Sequence, residues 1–563
     1  MRDSPTPLQT LRDAAHAHFR RGEFADAERR IREALVLEPQ SHERWTNMGV
    51  VQAAAKRFDA ALGSLDSALH LRPDFASARA TRANIYLTLG RYADAILDYG
   101  VTLRSAPGYP YAIGNLIFCK LQCADWSDLD ALVARARSKM EAGERSITPA
   151  LATALLGSAP ELLRALSIVA KDRCPSLPPI WRGEHYGHDR IRIAYVSSDF
   201  HAHATAVLMT GVFESHDRRR FETIAVSLGG GDGSAMRARL ERSVDRFLET
   251  GERSDVEIAN LMRQAEIDIA VDLKGYTSHA RPRIFSFRPA PVQVNFLGFP
   301  ATMAADFMDY ILCDRFTIPE SDAPFFSEKV VRLPDSYQPN DRTRDSSGKA
   351  MSRAAAGLPE SGFVFCCFNN SFKIQPEIFD VWMRLLRETN GSVLWLLADN
   401  PVAVTNLKRE AVRRGIDSSR LVFAPRAGQD DHLARHRLAD LFLDTLPYNA
   451  HTTASDALWS GLPLLTCMGG TFAGRVAASV LSSAGLPELV TSTIPDYEAL
   501  ALALAREPGR LAAIKTKLSQ NRNTCSLFDV ARFTRHLEDA YTLMLERAER
   551  GEKPAAFDVA GGA

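Results

Sequence analysis

Four short segments of this chain combine residue types that can bind anions and move protons. The most specific is LFLDTLPYNAHTTASDALWSGLPLLT, residues 441–466. Its apolar start reads as a strand ending at Asp444, a turn follows through Pro447 and Asn449, and a helix begins near Thr452. His451, Thr452 and Thr453 then stand at a helix N-terminus. Free backbone N–H groups, hydroxyls and the positive end of the helix dipole converge there on an anion, ideally a diphosphate. Asp456 lies one turn on from Thr453 and can accept a hydrogen bond from a ribose hydroxyl. A Thr cap followed by a first-turn Asp is common by itself, but here it has company. FVFCCFNNSFKIQPE sets Asn369, Asn370 and Lys373 just past another strand end, where an ammonium can neutralise a departing diphosphate. FAPRAGQDDHLARHRLAD puts His432 and Arg435 three positions apart at a helix start, which suits an aromatic base held by an imidazole plane. SSDFHAHATAVLM places His201 and His203 at the end of a further strand.

These loops need strands to hold them. From residue 190 short apolar runs alternate with helical stretches: RIRIAYVSS, FETIAVSL, IDIAVDL, VQVNFLGF and DYILCD. Near-continuous apolar runs suit parallel strands covered on both faces. The polar stretch PNDRTRDSSGKAMSRAAAG separates them from a second series: FVFCCF, SVLWLLAD, RLVFAP, LADLFLDT and LPLLTC. The pattern predicts two doubly wound lobes, at 189–345 and 346–548, with ligands beyond the carboxyl ends of their strands. The small, polar segment 549–563 is expected to fray. GGGDG at 229–233 lacks the spacing of a dinucleotide fingerprint and reads as a mobile turn.

The N-terminal third has a different period. Pro39, Pro73 and Pro107 recur every 34 residues. Phe24, Phe58 and Tyr92 keep that step, as do Ala27, Ala61 and Ala95, while Gly22, Lys56 and Gly90 fill the turns. This order resembles the tetratricopeptide repeat, whose helix pairs stack into a superhelix that holds extended peptide. The repeats are placed at 1–110, with linking helices over 111–188.

Composition narrows the classes of partner. With 68 basic and 68 acidic residues the net charge is zero, so no global field recruits nucleic acid or an anionic membrane. No apolar run reaches the roughly 18 residues of a membrane span, and the polar start MRDSPTPLQTLRDAAHAHF is unlike a secretory signal. Eight cysteines without zinc-site spacing read as reduced thiols, and a cytoplasmic location is expected. The one D-x-D pair, Asp128 and Asp130, falls in the helical region. A metal-independent site is therefore expected, with no cofactor.

The strings YVSSDFHAHA, DLKGYTSHAR, RPAPVQVNFLGFPAT, FMDYILCD, LPDSYQPND, FNNSFKI, NAHTTASDALWSGLPLLT and RVAAS, in this order after the repeats, closely resemble the bacterial members of the protein O-GlcNAc transferase and SPINDLY family. The resemblance spans roughly residues 190–540. It implies an α + α/β chain, in which an N-terminal tetratricopeptide superhelix precedes a GT-B type pair of Rossmann-like lobes. It also implies inverting transfer of GlcNAc from UDP-GlcNAc to Ser or Thr of protein acceptors recruited by the repeats. By the same resemblance His203 is the active-site histidine, a general base or acceptor-positioning group, and Lys373 the phosphate-binding lysine. Asn370 is the polar amide near it, Ala427 and His432 to Arg435 the base-binding segment, His451, Thr452 and Thr453 the phosphate turn, and Asp456 the ribose ligand. The FNN string is shared with the SPINDLY branch, so GDP-fucose and UDP-glucose remain alternative donors. A repeat scaffold that binds nucleotide without turnover is the alternative outside catalysis.

Overall fold

The computed structural model describes residues 6–344 and 351–561; the expected lobe boundary at 345/346 lies outside them. The chain divides into two compact units, Met1–Thr148 and Pro149–Ala563.

The first unit is a run of paired helices. The second helix of each pair begins at a residue of the 34-residue aromatic column: Phe24–Leu37, Phe58–Leu71 and Tyr92–Ser105. Ala27, Ala61 and Ala95 are fully buried, because only a methyl fits where the helices approach. Gly22, Lys56 and Gly90 adopt φ of 77°, 59° and 72° in the turns, a left-handed conformation that glycine takes freely and that Lys56 holds at a steric cost. Helices Ala112–Gln122 and Leu129–Glu141 continue this unit, whereas Pro149–Leu155 and Ala159–Arg173 belong to the second. The expected linking region 111–188 is therefore divided at Thr148 rather than forming one segment.

The second unit holds two parallel sheets. The strands of the first are β1 (Ile191–Ser197), β2 (Phe221–Ser227), β3 (Arg246–Glu249), β4 (Ile269–Asp272), β5 (Val292–Asn295), β6 (Tyr310–Asp314) and β7 (Lys329–Leu333). Those of the second are β8 (Val364–Cys367), β9 (Val393–Leu397), β10 (Leu421–Ala424), β11 (Leu441–Leu443), β12 (Leu464–Cys467) and β13 (Val490–Thr491), and a last strand, β14 (Phe557–Asp558), returns to the first sheet. The spatial orders are β3-β2-β1-β4-β5-β6-β7-β14 and β10-β9-β8-β11-β12-β13. Both reverse direction at the pair that follows the first strand, β1/β4 and β8/β11, and that is where doubly wound sheets bind ligands. β1, β4, β8, β9 and β12 are almost wholly buried, as their unbroken apolar runs require.

Two expectations about the C-terminus are corrected. The last helix, Val530–Glu549, does not complete the second lobe; it packs against the first. Glu538 accepts hydrogen bonds from the Asp217 backbone N–H at 2.8 Å and from His216 Nδ1 at 3.0 Å. Phe533 stacks on Phe296 and Tyr541 meets Tyr195 edge-on. The segment expected to fray instead supplies β14, which pairs with β7 through Phe557 and Asp558, and Val559 is buried. Two residues suffice there because the edge of β7 offers a ready ladder.

The lobes are also joined by buried polar contacts. Ser479 Oγ donates to Asp314 Oδ2 at 2.5 Å, and Gln338 Nε2 donates to Ser455 Oγ at 3.2 Å. All eight cysteines are free thiols and seven are buried. No helix among the described residues is long and apolar enough to cross a membrane.

Candidate active site

In the second lobe the residues singled out by the sequence gather at the β8/β11 reversal. The single turn Ser371–Lys373 follows β8, and Lys373 Nζ donates to the Asn449 carbonyl at 2.8 Å while lying 3.9 Å from the centre of the Tyr448 ring. Burial pushes its ammonium below the ordinary lysine range, opposed by the Asp444 carboxylate. Asp444 shifts the other way for the same reason, upward, because its carboxylate is desolvated too. Asp444 also shapes the turn: Oδ1 accepts the N–H groups of Thr445 at 2.7 Å and Ala450 at 2.6 Å, and Oδ2 accepts the Thr466 hydroxyl at 2.6 Å. The turn feeds the helix Thr452–Trp459.

The three residues at that helix start are not equivalent. Thr453 donates its hydroxyl proton to Asn369 Oδ1 at 2.6 Å, and Asn369 in turn donates to Thr445 Oγ1 at 2.8 Å. His451 Nε2 donates to the Ala473 carbonyl at 3.1 Å, and burial holds its ring neutral. Of the groups expected to meet an anion here, this leaves Thr452 and Lys373, while the His451 and Thr453 side chains brace the turn.

The segment expected to bind the base is also partly structural. Arg435 is buried, donates to the Pro425 carbonyl at 2.7 Å and lies 4.3 Å from the Phe368 ring, so it points into the lobe rather than at a base edge. It also donates to His432 Nδ1, which leaves the proton of the neutral His432 ring on Nε2, 3.8 Å from Asp456 Oδ2. Ala427 is exposed on the loop between β10 and the helix Gln429–Arg435. Asn370 accepts a hydrogen bond from Arg426 at 3.2 Å. Asp456 is buried and paired with Arg344, a residue that no motif in the sequence marks.

In the first lobe His203 caps the helix Ala204–Ser215, its Nδ1 accepting the Thr205 N–H at 3.2 Å. Burial lowers its pKa, so the ring is neutral and carries its proton on Nε2. Asp199 Oδ2 lies 3.5 Å from Nδ1 and is already engaged by Lys274 Nζ at 2.5 Å. Asp272, at the end of β4, accepts the N–H groups of Lys274 and Gly275 on Oδ1; burial raises its pKa to about 6. The GGGDG turn braces this loop, since Asp232 accepts the Ala202 N–H at 2.9 Å.

Two doubly wound parallel sheets with charged residues at both reversals define a GT-B type fold. Residues 180–345 and 342–537 match glycosyl transferase family 41, and 12–74 and 46–110 match the tetratricopeptide repeat. The chain belongs to glycosyl transferase family 41. A probable UDP-N-acetylglucosamine–peptide N-acetylglucosaminyltransferase, SEC, of Arabidopsis thaliana is 36% identical over 66% of this chain and 39% of its own length. A UDP-N-acetylglucosamine–peptide N-acetylglucosaminyltransferase of Caenorhabditis elegans is 30% identical over 64% of this chain and 41% of its own. A mutant O-GlcNAc transferase of Thermobaculum terrenum superposes with a TM-score of 0.71 at 28% identity, covering 98% of this chain and all of that one. The chain spans about two-fifths of the length of the curated relatives it matches.

Proposed function

We propose that this protein transfers N-acetylglucosamine from UDP-GlcNAc to serine or threonine hydroxyls of protein acceptors. The observation that carries the reading is the desolvated Lys373 ammonium, held over Tyr448 in the turn that opens the helix Thr452–Trp459. An ammonium short of solvent gains most from a diphosphate, and gains more as the leaving group acquires charge. The acceptor oxygen bonds to the anomeric carbon from the face opposite the leaving group. The carbon–phosphate oxygen bond breaks, its electron pair goes to the UDP phosphate, and the hydroxyl proton passes to a phosphate oxygen or water. His203 fits the positioning role better than that of a base. With Nδ1 occupied by the Thr205 N–H, its Nε2 carries a proton and can only donate.

The donor assignment is supported by the names of the Arabidopsis and nematode relatives. Lys373 and the helix terminus can supply the charge stabilisation that a metal gives elsewhere, so EDTA should leave initial rates within about twofold. Titration calorimetry with UDP-GlcNAc, UDP-glucose and GDP-fucose, followed by transfer assays, tests the reading. Tight binding and turnover of UDP-GlcNAc are expected. Turnover of GDP-fucose alone would replace it, and binding without turnover would make the protein a scaffold.

A further inference from the structure

Residues 334–344 lead from β7 toward the second lobe, and they end in a buried ion pair that the sequence motifs do not include. Arg344 NH1 donates to Asp456 Oδ1 at 2.6 Å, and the two side chains are only 4% and 5% exposed. The pair is built in from both sides. Trp459 Nε1 donates to the Arg344 carbonyl at 3.1 Å, Arg344 Nε donates to the Asp341 carbonyl at 3.1 Å, and Asp341 is paired with Arg239 at 2.7 Å. With Oδ1 occupied by Arg344, Oδ2 is the oxygen left for a ligand, and His432 Nε2 stands 3.8 Å from it.

We infer that Arg344 is a positioning residue for the ribose subsite: it fixes the Asp456 carboxylate, ionised, with Oδ2 turned toward the ribose hydroxyls of a bound nucleotide. The inference rests on the reading of Asp456 as a ribose ligand. A buried carboxylate without a cationic partner takes up a proton. A protonated Asp456 would offer its own proton where the ribose hydroxyl needs an acceptor. Burial already raises the Asp456 pKa to about 6, with Arg344 opposing the rise. Among the described residues the charged or titratable groups facing this pair are Asp341 with its partner Arg239, and His432 with its partner Arg435. His432 is held neutral by burial.

The test measures binding of UDP and of 2′,3′-dideoxy-UDP to the full chain, wild type, Arg344→Gln and Arg344→Lys, between pH 5.5 and 8.5. Wild type should bind UDP about tenfold or more tightly than the dideoxy compound, as expected for one charge-assisted hydrogen bond, and lose that advantage as the pH falls through about 6. Arg344→Gln should lose most of the advantage at pH 7 while binding the dideoxy compound as wild type does. Arg344→Lys, which keeps the charge, should restore it, and it remains informative if the Gln variant does not fold. Equal weakening toward UDP and its dideoxy analogue, in either variant, would overturn the inference, as would an unchanged advantage in Arg344→Gln. If wild type binds GDP and not UDP, the donor reading fails, and the same comparison is made with GDP and dideoxy-GDP. If it binds neither nucleotide, both fall.

Discussion

In the proposed reaction two demands conflict at Lys373: it has to be charged to stabilise a leaving diphosphate, yet burial disfavours the charge. A conflict of this kind is common at functional sites. Two outcomes follow from it. Lys373→Met should lower turnover by about 10² to 10³, the usual cost of removing one such electrostatic group. Because the folded-state pKa is depressed, the charged amine costs stability at neutral pH, so thermal denaturation should show no large drop in Tm. Wild-type turnover in a folded Lys373→Met protein would remove the proposed mechanism. In addition, a bound diphosphate restores the charged form, so donor binding at mildly alkaline pH should take up protons. Calorimetry in buffers of different ionisation enthalpy reads this directly, and the uptake should vanish in Lys373→Met. Strand-end position and residue type were enough to place Lys373 after β8 and Thr452 at a helix start from the sequence. The commitments of Thr453 to Asn369, and of Asp456 to Arg344, were not, because the partners lie 84 and 112 positions apart.

Among the elements, the strands that hold the site were the easiest to read, since burial on both faces leaves them apolar throughout. The strands that escaped notice lie toward the sheet edges or are only two residues long: β3, with exposed ends, β7, β13 and β14. The position of the helix Val530–Glu549 was hidden for another reason. Its amphipathic pattern demands an apolar partner but does not say which lobe provides it. Glu538 is the specific element of that choice, because one buried carboxylate satisfies both His216 and the Asp217 N–H across 322 and 321 positions. Glu538→Ala should destabilise by about 1–3 kcal/mol, the cost of leaving a buried donor unsatisfied. Urea denaturation monitored by circular dichroism would register this as a lower midpoint. An unchanged midpoint would mean that Phe533, Leu537, Tyr541 and Met544 alone hold the helix in place.

For the whole molecule, the division at Thr148 and Pro149 defines how the repeats can be tested. The 34-residue columns disclosed the repeats, but they stop at Pro107, and no column marks the two helices that continue the unit. A cut at residue 110 would strip Ala112–Gln122, whose Ala112, Ile113 and Ile117 are almost fully buried, from the repeat helix Tyr92–Ser105 that precedes it. A chain beginning at Pro149 keeps both sheets, the helix Val530–Glu549 and every residue of the candidate site. If the repeats present protein acceptors, that chain should bind nucleotide sugar with the affinity of the full protein and hydrolyse it at a similar rate. It should also modify folded or extended protein acceptors at least about tenfold more slowly, since the acceptor would lose the effective concentration that a tethered binding module provides. Addition of the separate 1–148 unit should not restore the rate, because the benefit depends on covalent linkage. Equal rates on protein acceptors from the full and shortened chains would show that acceptors are chosen at the lobes themselves and that the repeats serve another purpose.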